Sequence, residues 1–349
     1  MISHRPRHRT PRRLLPVVLA CLVVAIPRPA TALDETRPEV RAFIEEVAVR
    51  NGFDVESLSR TFAQVEVRPS ILAAMSKPAE RTLTWDEYRA RFLTERRIAR
   101  GLETAREQAE ALGRASPSGV PAEVILAIVG VETFYGENTG SHRVIDALAT
   151  LTFDYPRRSE FFRKELEQYL ILARDESLDP LVPRGSYAGA MGIPQFMPSS
   201  VMRYAVDGDG DGHRDLWNDW ADVFASVGNY LKEHGWRPGE PVMAAADVSD
   251  ANLEGVVTGK LDLSETVRSL RERGVKFSTE LPPESPAVLV ALPRAEGPEY
   301  RVGFRNYYAI TRYNRSALYA SAVNDLAAAL GAGRTVPNVS TGFSQTVSQ

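Results

Sequence analysis

The most informative stretch of the chain runs from Pro121 to Gly136 and reads PAEVILAIVGVETFYG. Pro121 suits the start of a helix, because a residue in the first turn does not need its N–H. Apolar residues at helical spacing then predict one buried face: Val124, Ile125, Ile128 and Val131. Glu132 lies at the end of this helix. A partly desolvated carboxylate suits a general acid, but the segment alone favours a solvated helix-terminal glutamate.

Other helices are predicted on both sides of this stretch. The same spacing rule gives an early helix through Val40, Phe43, Ile44, Val47 and Ala48. A longer helix is predicted from Trp85 to about Leu112, with a stripe at Tyr88, Phe92, Ala99, Leu102, Ala105, Ala109 and Leu112. Ser116-Pro117-Ser118-Gly119 should end it. Two more helices are predicted. One begins at Ser159, and its buried face is formed by Phe162, Leu166, Tyr169 and Leu170. The other runs from Ala221 to His234, and its buried face is formed by Val223, Val227, Tyr230 and Leu231.

After Gly235 the sequence changes from helical spacing of apolar residues to short extended runs. Extended apolar runs predict strands at Ala287–Leu292, Tyr300–Phe304 and Tyr307–Thr311. Leu318–Leu330 is predicted to be a closing helix. Residues 331–349 are polar without an apolar period, which indicates a loose tail.

A glycine- and proline-rich segment runs from Gly185 to Ser200 and reads GSYAGAMGIPQFMPSS. This composition indicates a shaped loop, and its small residues let a ligand approach the backbone. Ser186 and Gln195 offer neutral hydrogen bonds to a sugar, and Phe196 and Tyr187 offer flat faces for its rings. The alternative is a structural loop with Met191 and Phe196 in the core, and composition alone leaves the two readings even.

An acidic segment, Asp207-Gly208-Asp209-Gly210-Asp211-Gly212-His213, has the pattern of the first half of an EF-hand loop. Asp207, Asp209 and Asp211 would supply carboxylate ligands, and His213 would supply its backbone carbonyl. Position twelve is Asn218, where the rule expects glutamate, so the loop must close with Asp219 or Asp222. A solvated acidic turn is the alternative. Bound Ca²⁺ is favoured, because three neighbouring aspartates repel one another without a cation.

The segment from Phe304 to Asn314 is rich in aromatic residues. Its rings could line a sugar groove or form the two faces of a strand. The common zinc-protease, serine-hydrolase and nucleotide-binding motifs are missing from the sequence, and no organic cofactor is expected.

The first 32 residues are predicted to be a secretory signal. Arginines are followed by an apolar run from Leu14 to Ile26 and by the small-x-small site Ala30-Thr31-Ala32. Cleavage is favoured over retention as an anchor, and ordinary export is favoured over lipidation at Cys21. The leader holds six arginines and no acid, which leaves 36 basic against 45 acidic residues. This acidic balance gives no electrostatic case for a nucleic-acid partner.

Together, in this order and spacing, several segments resemble the lytic murein transglycosylase B family. The resemblance is strong over residues 85–235, and the aromatic segment from Phe304 to Asn314 extends it. The pieces that carry it are Gly130–Thr133, Leu148–Leu151, Tyr155–Arg158, Ala188–Gly192, Gln195–Ser200 and the loop that begins at Asp207.

This resemblance implies a mainly α (α+β) fold: a goose-lysozyme-like helical core with an additional helical region and a small β region. It implies cleavage of the β-1,4 bond between N-acetylmuramic acid and N-acetylglucosamine in peptidoglycan, without water. Glu132 matches the catalytic glutamate. The sugar-binding positions match Ser186, Gln195, Phe196, Arg157, Arg158, Tyr313 and Asn314. The calcium site matches Asp207, Asp209, Asp211 and His213, with Asp222 preferred to Asp219 as the closing ligand.

The expected organisation is a leader (1–32), an N-terminal helical region (33–120), a catalytic core (121–235), a β region with the closing helix (236–332) and a tail (333–349). The protein would act in the periplasm on glycan strands, alone or beside other cell-wall enzymes. Two alternatives stay open. One is a hydrolytic muramidase on the same fold, with Asp154 or Glu160 as a second acid. The other is a non-catalytic envelope protein that binds peptidoglycan or calcium.

Overall fold

The computed structural model describes residues 31–76, 83–256 and 261–335. Within these ranges the chain is mainly helical with small antiparallel sheets, as expected. Of the predicted leader, residues 1–30 lie outside the described residues, as does the end of the predicted tail, residues 336–349.

The N-terminal region contains β1 (Thr31–Ala32), α1 (Pro38–Asn51), α2 (Val55–Phe62), β2 (Glu66–Val67) and α3 (Pro69–Met75). The five residues predicted to face inward from α1 are all buried. β1 pairs with β2, and Asp146 fastens this region to the core. Its fully buried carboxylate accepts a 3.0 Å hydrogen bond from the Glu66 amide and pairs with Arg68 and Arg143.

The single long helix predicted from Trp85 to Leu112 is wrong. The chain forms three helices instead: α4 (Trp85–Phe92), α5 (Glu95–Glu107) and α6 (Ala109–Arg114). Leu93 leaves the helical region, and the Thr94 hydroxyl accepts from the Arg97 amide, which starts α5 with an N-cap. Two predicted stripe residues, Ala99 and Ala109, are exposed, because each break rotates the following helix.

The core is formed by α7 (Ala122–Thr133), β3 (His142–Arg143), α8 (Val144–Asp154), α9 (Ser159–Asp175), β4 (Arg184–Gly185), α10 (Pro198–Tyr204) and α11 (Trp220–Glu233). The buried faces predicted for α7, α9 and α11 are confirmed. α7 and α8 are buried on almost every side. In α8 the apolar residues leave no clear polar face, so the spacing rule did not reveal this helix.

The C-terminal region contains β5 (Met243–Ala245), β6 (Glu265–Thr266), α12 (Val267–Glu272), β7 (Pro286–Leu292), β8 (Glu299–Gly303), α13 (Arg305–Tyr313) and α14 (Ala317–Thr335). The strands form one antiparallel sheet in the order β5-β8-β7-β6. β7 has a small core on one face and the main core on the other, which explains its continuous apolar sequence.

Two predictions for this region need correction. The strand predicted at Tyr307–Thr311 is part of helix α13. Asn306, Tyr307 and Ile310 are buried at helical spacing, so tertiary packing overrides the strand preference of the aromatic residues. The predicted tail begins inside α14, which continues to Thr335. There Gly333 lies so close to Leu102 that a Cβ would be 2.7 Å from its side chain.

No single helix in these ranges is long and apolar enough to cross a membrane. The segments Ala109–Ser118 and Ala122–Thr133 meet the length and composition criteria only as a pair, bent by 110°.

Candidate active site

Glu132 lies in the last turn of α7, and its side chain is partly exposed. The helix ends abruptly after it, because Phe134 (φ 53°) and Tyr135 (φ 57°) both adopt left-handed backbone conformations. Next to Glu132, the Thr133 hydroxyl donates a 2.9 Å hydrogen bond to the Ile193 carbonyl. The end of α7 is therefore fastened to the glycine-rich segment from Gly185 to Ser200.

Tyr319 makes a direct hydrogen bond with Glu132. Its hydroxyl, on α14, donates a 2.6 Å hydrogen bond to Oε1 of Glu132. Burial and the neighbouring Glu132 charge raise the pKa of Tyr319 well above its ordinary value, so the phenol stays protonated and can donate. A donor aimed at the carboxylate stabilises its ionised form.

An aromatic cluster lies behind this pair. The ring of Tyr313 stacks on Tyr319 at 6.5 Å and 14°, and it also contacts Phe196 at 5.7 Å and Tyr230 at 4.8 Å. The Tyr313 hydroxyl donates a 2.6 Å hydrogen bond to the Pro194 carbonyl. Burial, with the Glu132 charge as a smaller cause, raises the pKa of Tyr313 well above its ordinary value. Tyr313 thus joins the glycine-rich segment to the partner of Glu132.

The glycine-rich segment is held by its own polar groups. Ser186 Oγ accepts hydrogen bonds from the amides of Ala188 (3.2 Å) and Ala190 (3.0 Å). Gln195 has φ 54°, and its Nε2 donates to the carbonyls of Thr139 (3.0 Å) and Gly192 (2.8 Å). A Cβ on Gly192 would lie 2.4 Å from the Leu216 carbonyl oxygen. The segment is therefore a folded loop with a fixed backbone.

The expectation that Phe196 offers a free face to a sugar ring is wrong. Its side chain is only 2% exposed, and Met191 is fully buried, as the structural-loop alternative predicted. Phe196 instead packs against Tyr230 and Tyr313. Tyr187, at 45% exposure, is the aromatic residue of this loop that reaches solvent.

The remaining predicted sugar-binding residues occupy two places. Arg157 and Arg158 are exposed in a short 3-10 turn before α9, and the Arg158 guanidinium lies 4.2 Å from the Phe161 ring centroid. Asn314 follows Tyr313 at the end of α13. Neither the arginines nor Asn314 belong to the aromatic cluster described above, in which Tyr313 packs against Tyr319.

The two proposed second acids differ in their surroundings. Asp154 Oδ1 forms a 2.9 Å ion pair with Arg37. This pair holds the Asp154 side chain where the N-terminal region meets the core. Glu160 is exposed in the first turn of α9. Asp154 is therefore paired with a cation, whereas Glu160 faces solvent.

In the acidic loop that begins at Asp207, carboxylate oxygens lie close together, as they must to bind a cation. Ligand atoms of Asp207, Asp209 and Asp211 lie within 4.8 Å of one another. Gly210 and Gly212 have φ 86° and 94°, and the Asp207 carboxylate accepts hydrogen bonds from both of their amides. These bonds, that from Gly212 most of all, lower the pKa of Asp207. Hard oxygen donors in this arrangement fit Ca²⁺.

Asp222 and Asp219 have different roles at the loop's end. Asp222 is 2% exposed, and its oxygens accept from the amides of Gly208 (2.7 Å) and Asp215 (2.6 Å), so it reaches across the loop. Burial raises the pKa of Asp222 to about 6. Asp219 instead caps α11 by accepting from Ala221 and Asp222. This arrangement favours Asp222 as the closing residue.

Sequence reasoning missed Tyr319 and the supporting role of Tyr230. Both lie on buried stripes of predicted helices, where a tyrosine looks like any other core residue. Both tyrosines are far from Glu132 in sequence, so no local pattern indicated that they lie near it.

Comparison with known proteins identifies relatives over most of the chain. The family described as Transglycosylase SLT domain matches residues 35–328. The chain is 40% identical over 307 residues to the membrane-bound lytic murein transglycosylase B of Escherichia coli K12, covering 85% of this chain and 84% of that protein.

Solved structures show the same fold. The catenated lytic transglycosylase SltB1 from Pseudomonas aeruginosa has a TM-score of 0.81 at 49% identity, covering 85% of this chain and 98% of that one. E. coli Slt35 in complex with calcium has a TM-score of 0.79 at 38% identity, covering 88% and 97%. P. aeruginosa SltB3 in complex with NAG-anhNAM-pentapeptide has a TM-score of 0.74 at 31% identity, covering 84% and 79%.

Proposed function

Because this chain belongs to the Transglycosylase SLT domain family, we propose that it is a peptidoglycan lytic transglycosylase with Glu132 as its catalytic residue. It cleaves the β-1,4 bond between N-acetylmuramic acid and N-acetylglucosamine and leaves 1,6-anhydromuramoyl ends. The relatives named as lytic transglycosylases cover most of the chain, and one of them is known with a ligand that carries an anhydro-muramoyl group.

The observation that carries this proposal is the hydrogen bond between Glu132 and Tyr319. The Glu132 carboxylate is partly exposed at the end of the buried helix α7, and it accepts from a Tyr319 hydroxyl that stays protonated. A single carboxylate is sufficient for a lyase, whereas ordinary glycosidases need two.

In the proposed reaction, Glu132 first protonates the glycosidic oxygen as the bond to the muramoyl C1 breaks, releasing N-acetylglucosamine. The muramoyl N-acetyl group stabilises the positive charge at C1. The ionised Glu132, stabilised by the Tyr319 hydroxyl, then accepts the proton of the same sugar's C6 hydroxyl. That oxygen attacks C1 and closes the 1,6-anhydro ring, so Glu132 ends protonated as it began. An intramolecular nucleophile held in place replaces water.

The hydrolytic alternative has less support. It requires a second acid, and Asp154 is paired with Arg37 while Glu160 is exposed. The non-catalytic alternative does not account for a family match that includes Glu132.

Substrate contacts are proposed at the remaining predicted positions. Ser186 and Gln195 would present the loop's polar groups to the sugars, and exposed Arg157 and Arg158 would meet the negatively charged stem peptides. Tyr313 and Asn314 would border the same groove, with Tyr313 acting mainly through Tyr319.

We also propose that the acidic loop binds Ca²⁺ through Asp207, Asp209, Asp211 and the His213 carbonyl, closed by Asp222. A related structure is described as a complex with calcium. Because Asp222 accepts hydrogen bonds from Gly208 and Asp215 and lies in the first turn of α11, the ion would stabilise the fold beside the glycine-rich segment. Its role would be structural.

The substrate places the protein in the cell envelope, and we propose the periplasm as its location. Glycan strands are its expected partner, and other cell-wall enzymes are candidates for association.

The test is digestion of purified sacculi by the protein and by Glu132→Gln, with products weighed by mass spectrometry. The proposal predicts anhydro-muropeptides from the first protein and none from the second. Asp154→Asn and Glu160→Gln are the matched controls, and each should leave product type and rate close to those of the unmodified protein. Equal release by Glu132→Gln would contradict the catalytic assignment.

A further inference from the structure

The turn that follows Glu132 is held in an unfavourable conformation. Phe134 and Tyr135 are successive non-glycine residues with positive φ angles, 53° and 57°. The Tyr135 hydroxyl is buried and has no hydrogen-bond partner within the described ranges. Conformations of this kind persist only where the surrounding structure holds them, and they concentrate at functional sites.

Arg97, on α5, provides that hold. Its Nε donates a 3.1 Å hydrogen bond to the Gly130 carbonyl, which also accepts the 3.2 Å bond from the Phe134 amide that closes the helix. Its guanidinium carbon lies 4.8 Å from the Phe134 ring centroid and 5.1 Å from that of Phe92. Nη1 of the same guanidinium donates to the Arg91 carbonyl.

These contacts bracket Glu132 on both sides. Gly130 lies two residues before it and Phe134 two residues after it, and Arg97 touches both. The position is also electrostatically suited to a cation, because the carbonyls at the end of α7 carry partial negative charge. Arg97, from the N-terminal helical region, therefore fixes the backbone that carries the Glu132 carboxylate.

We propose that Arg97 is a positioning residue for Glu132: it fixes the carboxylate toward the Tyr319 hydroxyl and the scissile bond. This inference rests on the proposed catalytic role of Glu132. Without Arg97, the strained turn can relax and the carboxylate loses its fixed position. Small displacements of a catalytic group reduce turnover strongly while substrate binding changes little.

The experiment measures kcat, KM and the rate-pH profile of Arg97→Gln on soluble glycan strands, with rates expressed per folded molecule. We expect kcat to fall about ten- to hundredfold, KM to change little, and the rate-pH profile to shift. Arg97→Lys keeps the charge but not the planar fork, so its kcat should be intermediate. Arg106→Gln changes an exposed arginine on the same helix and should leave all three readouts unchanged.

A purely structural role predicts a different result. Arg97→Gln would then lose thermal stability while keeping the original kcat and rate-pH profile, and that outcome would overturn the proposal. If Arg97→Gln does not fold, Arg97→Lys and Phe134→Leu provide the same comparison: reduced kcat supports the proposal and unchanged kcat overturns it. Glu132→Gln is assayed in parallel. Full activity there would instead refute the proposed function, so the two failures can be distinguished.

Discussion

The hydroxyl of Tyr319 lies 2.6 Å from Oε1 of Glu132, although 187 residues separate the two in sequence. The contact joins the closing helix α14 to the core helix α7, which pack closely against each other. A hydrogen-bond partner of the proposed catalytic carboxylate therefore comes from α14, outside the predicted core.

Tyr319→Phe should reduce kcat while leaving the fold intact. It removes the hydroxyl that stabilises ionised Glu132 and keeps the buried ring. Hydrogen bonds to charged groups contribute about 1.5–3 kcal/mol, so we expect kcat to fall roughly ten- to hundredfold. The alkaline limb of the rate-pH profile, on which activity is lost as Glu132 ionises, should move to higher pH, because the proposed reaction begins with protonated Glu132. Steady-state kinetics across pH measure both effects, and an unchanged profile would show that this bond does not act on catalysis.

Phe196 and Tyr187 should respond oppositely to replacement by alanine. Phe196 is buried in the aromatic cluster, so Phe196→Ala should lower the free energy of unfolding by about 3–5 kcal/mol. Tyr187→Ala, at an exposed position, should change it by less than about 0.5 kcal/mol. Urea denaturation followed by circular dichroism compares the two. Similar losses of stability would argue against the burial described for Phe196.

Removal of calcium should destabilise the protein more than it alters catalysis. At a free Ca²⁺ concentration of about one hundred times the dissociation constant, binding should add roughly 2.7 kcal/mol of stability. Thermal unfolding with Ca²⁺ or with a chelator measures this difference. Asp209→Asn should abolish most of it, whereas Asp250→Asn, outside the loop, should preserve it. A melting temperature that does not respond to Ca²⁺ would contradict the metal assignment.

Protonation of His234 should lower the stability of the folded protein as the pH falls below about 6.5. Burial, first, and the nearby Arg203 and Arg312 lower the pKa of His234, against smaller opposing effects of the Tyr230 carbonyl and Glu233. The unfolded chain therefore binds a proton at a higher pH than the folded chain does. The contribution of His234 to stability is complete above the ordinary histidine pKa of about 6.5 and is lost as pH falls toward the folded value.

His234→Gln tests this assignment through urea unfolding between pH 7.5 and 5, a range set by the ordinary pKa of about 6.5. The variant should show a smaller dependence of unfolding free energy on pH than the original protein. Some dependence should remain, because His142 also has a lowered pKa, mainly through burial. An identical slope in both proteins would exclude His234 as a contributor.

The sequence predicted the helical core well because its amphipathic helices carry a clear period. The inward faces of α1, α9 and α11 are those that the spacing rule gave. Prediction failed where local pattern and tertiary structure differ. Thr94 starts a new helix inside an apparently continuous stripe, and Tyr307 is packed in a helix despite its preference for strands.

The site was predictable only in part, for a related reason. The acidic loop carries a local signature and could be found from its spacing. Glu132 was singled out only through the family resemblance, because its helix alone favours a solvated glutamate. Tyr319 and Arg97 make their contacts between segments that are distant in sequence. In the sequence, Tyr319 resembles an ordinary core tyrosine and Arg97 an ordinary arginine on a helix surface. Phe196 illustrates the opposite error, since an aromatic residue beside polar loop residues suggests a sugar platform until its burial is known.

The most direct test of the central claim is digestion of sacculi in water enriched in heavy oxygen, followed by mass spectrometry of the released muropeptides. If Glu132 directs attack by the muramoyl C6 hydroxyl, the new muramoyl ends should carry the anhydro mass and no heavy oxygen. Reducing muramoyl ends that each contain one heavy oxygen atom would show that water is the acceptor, and would contradict the account.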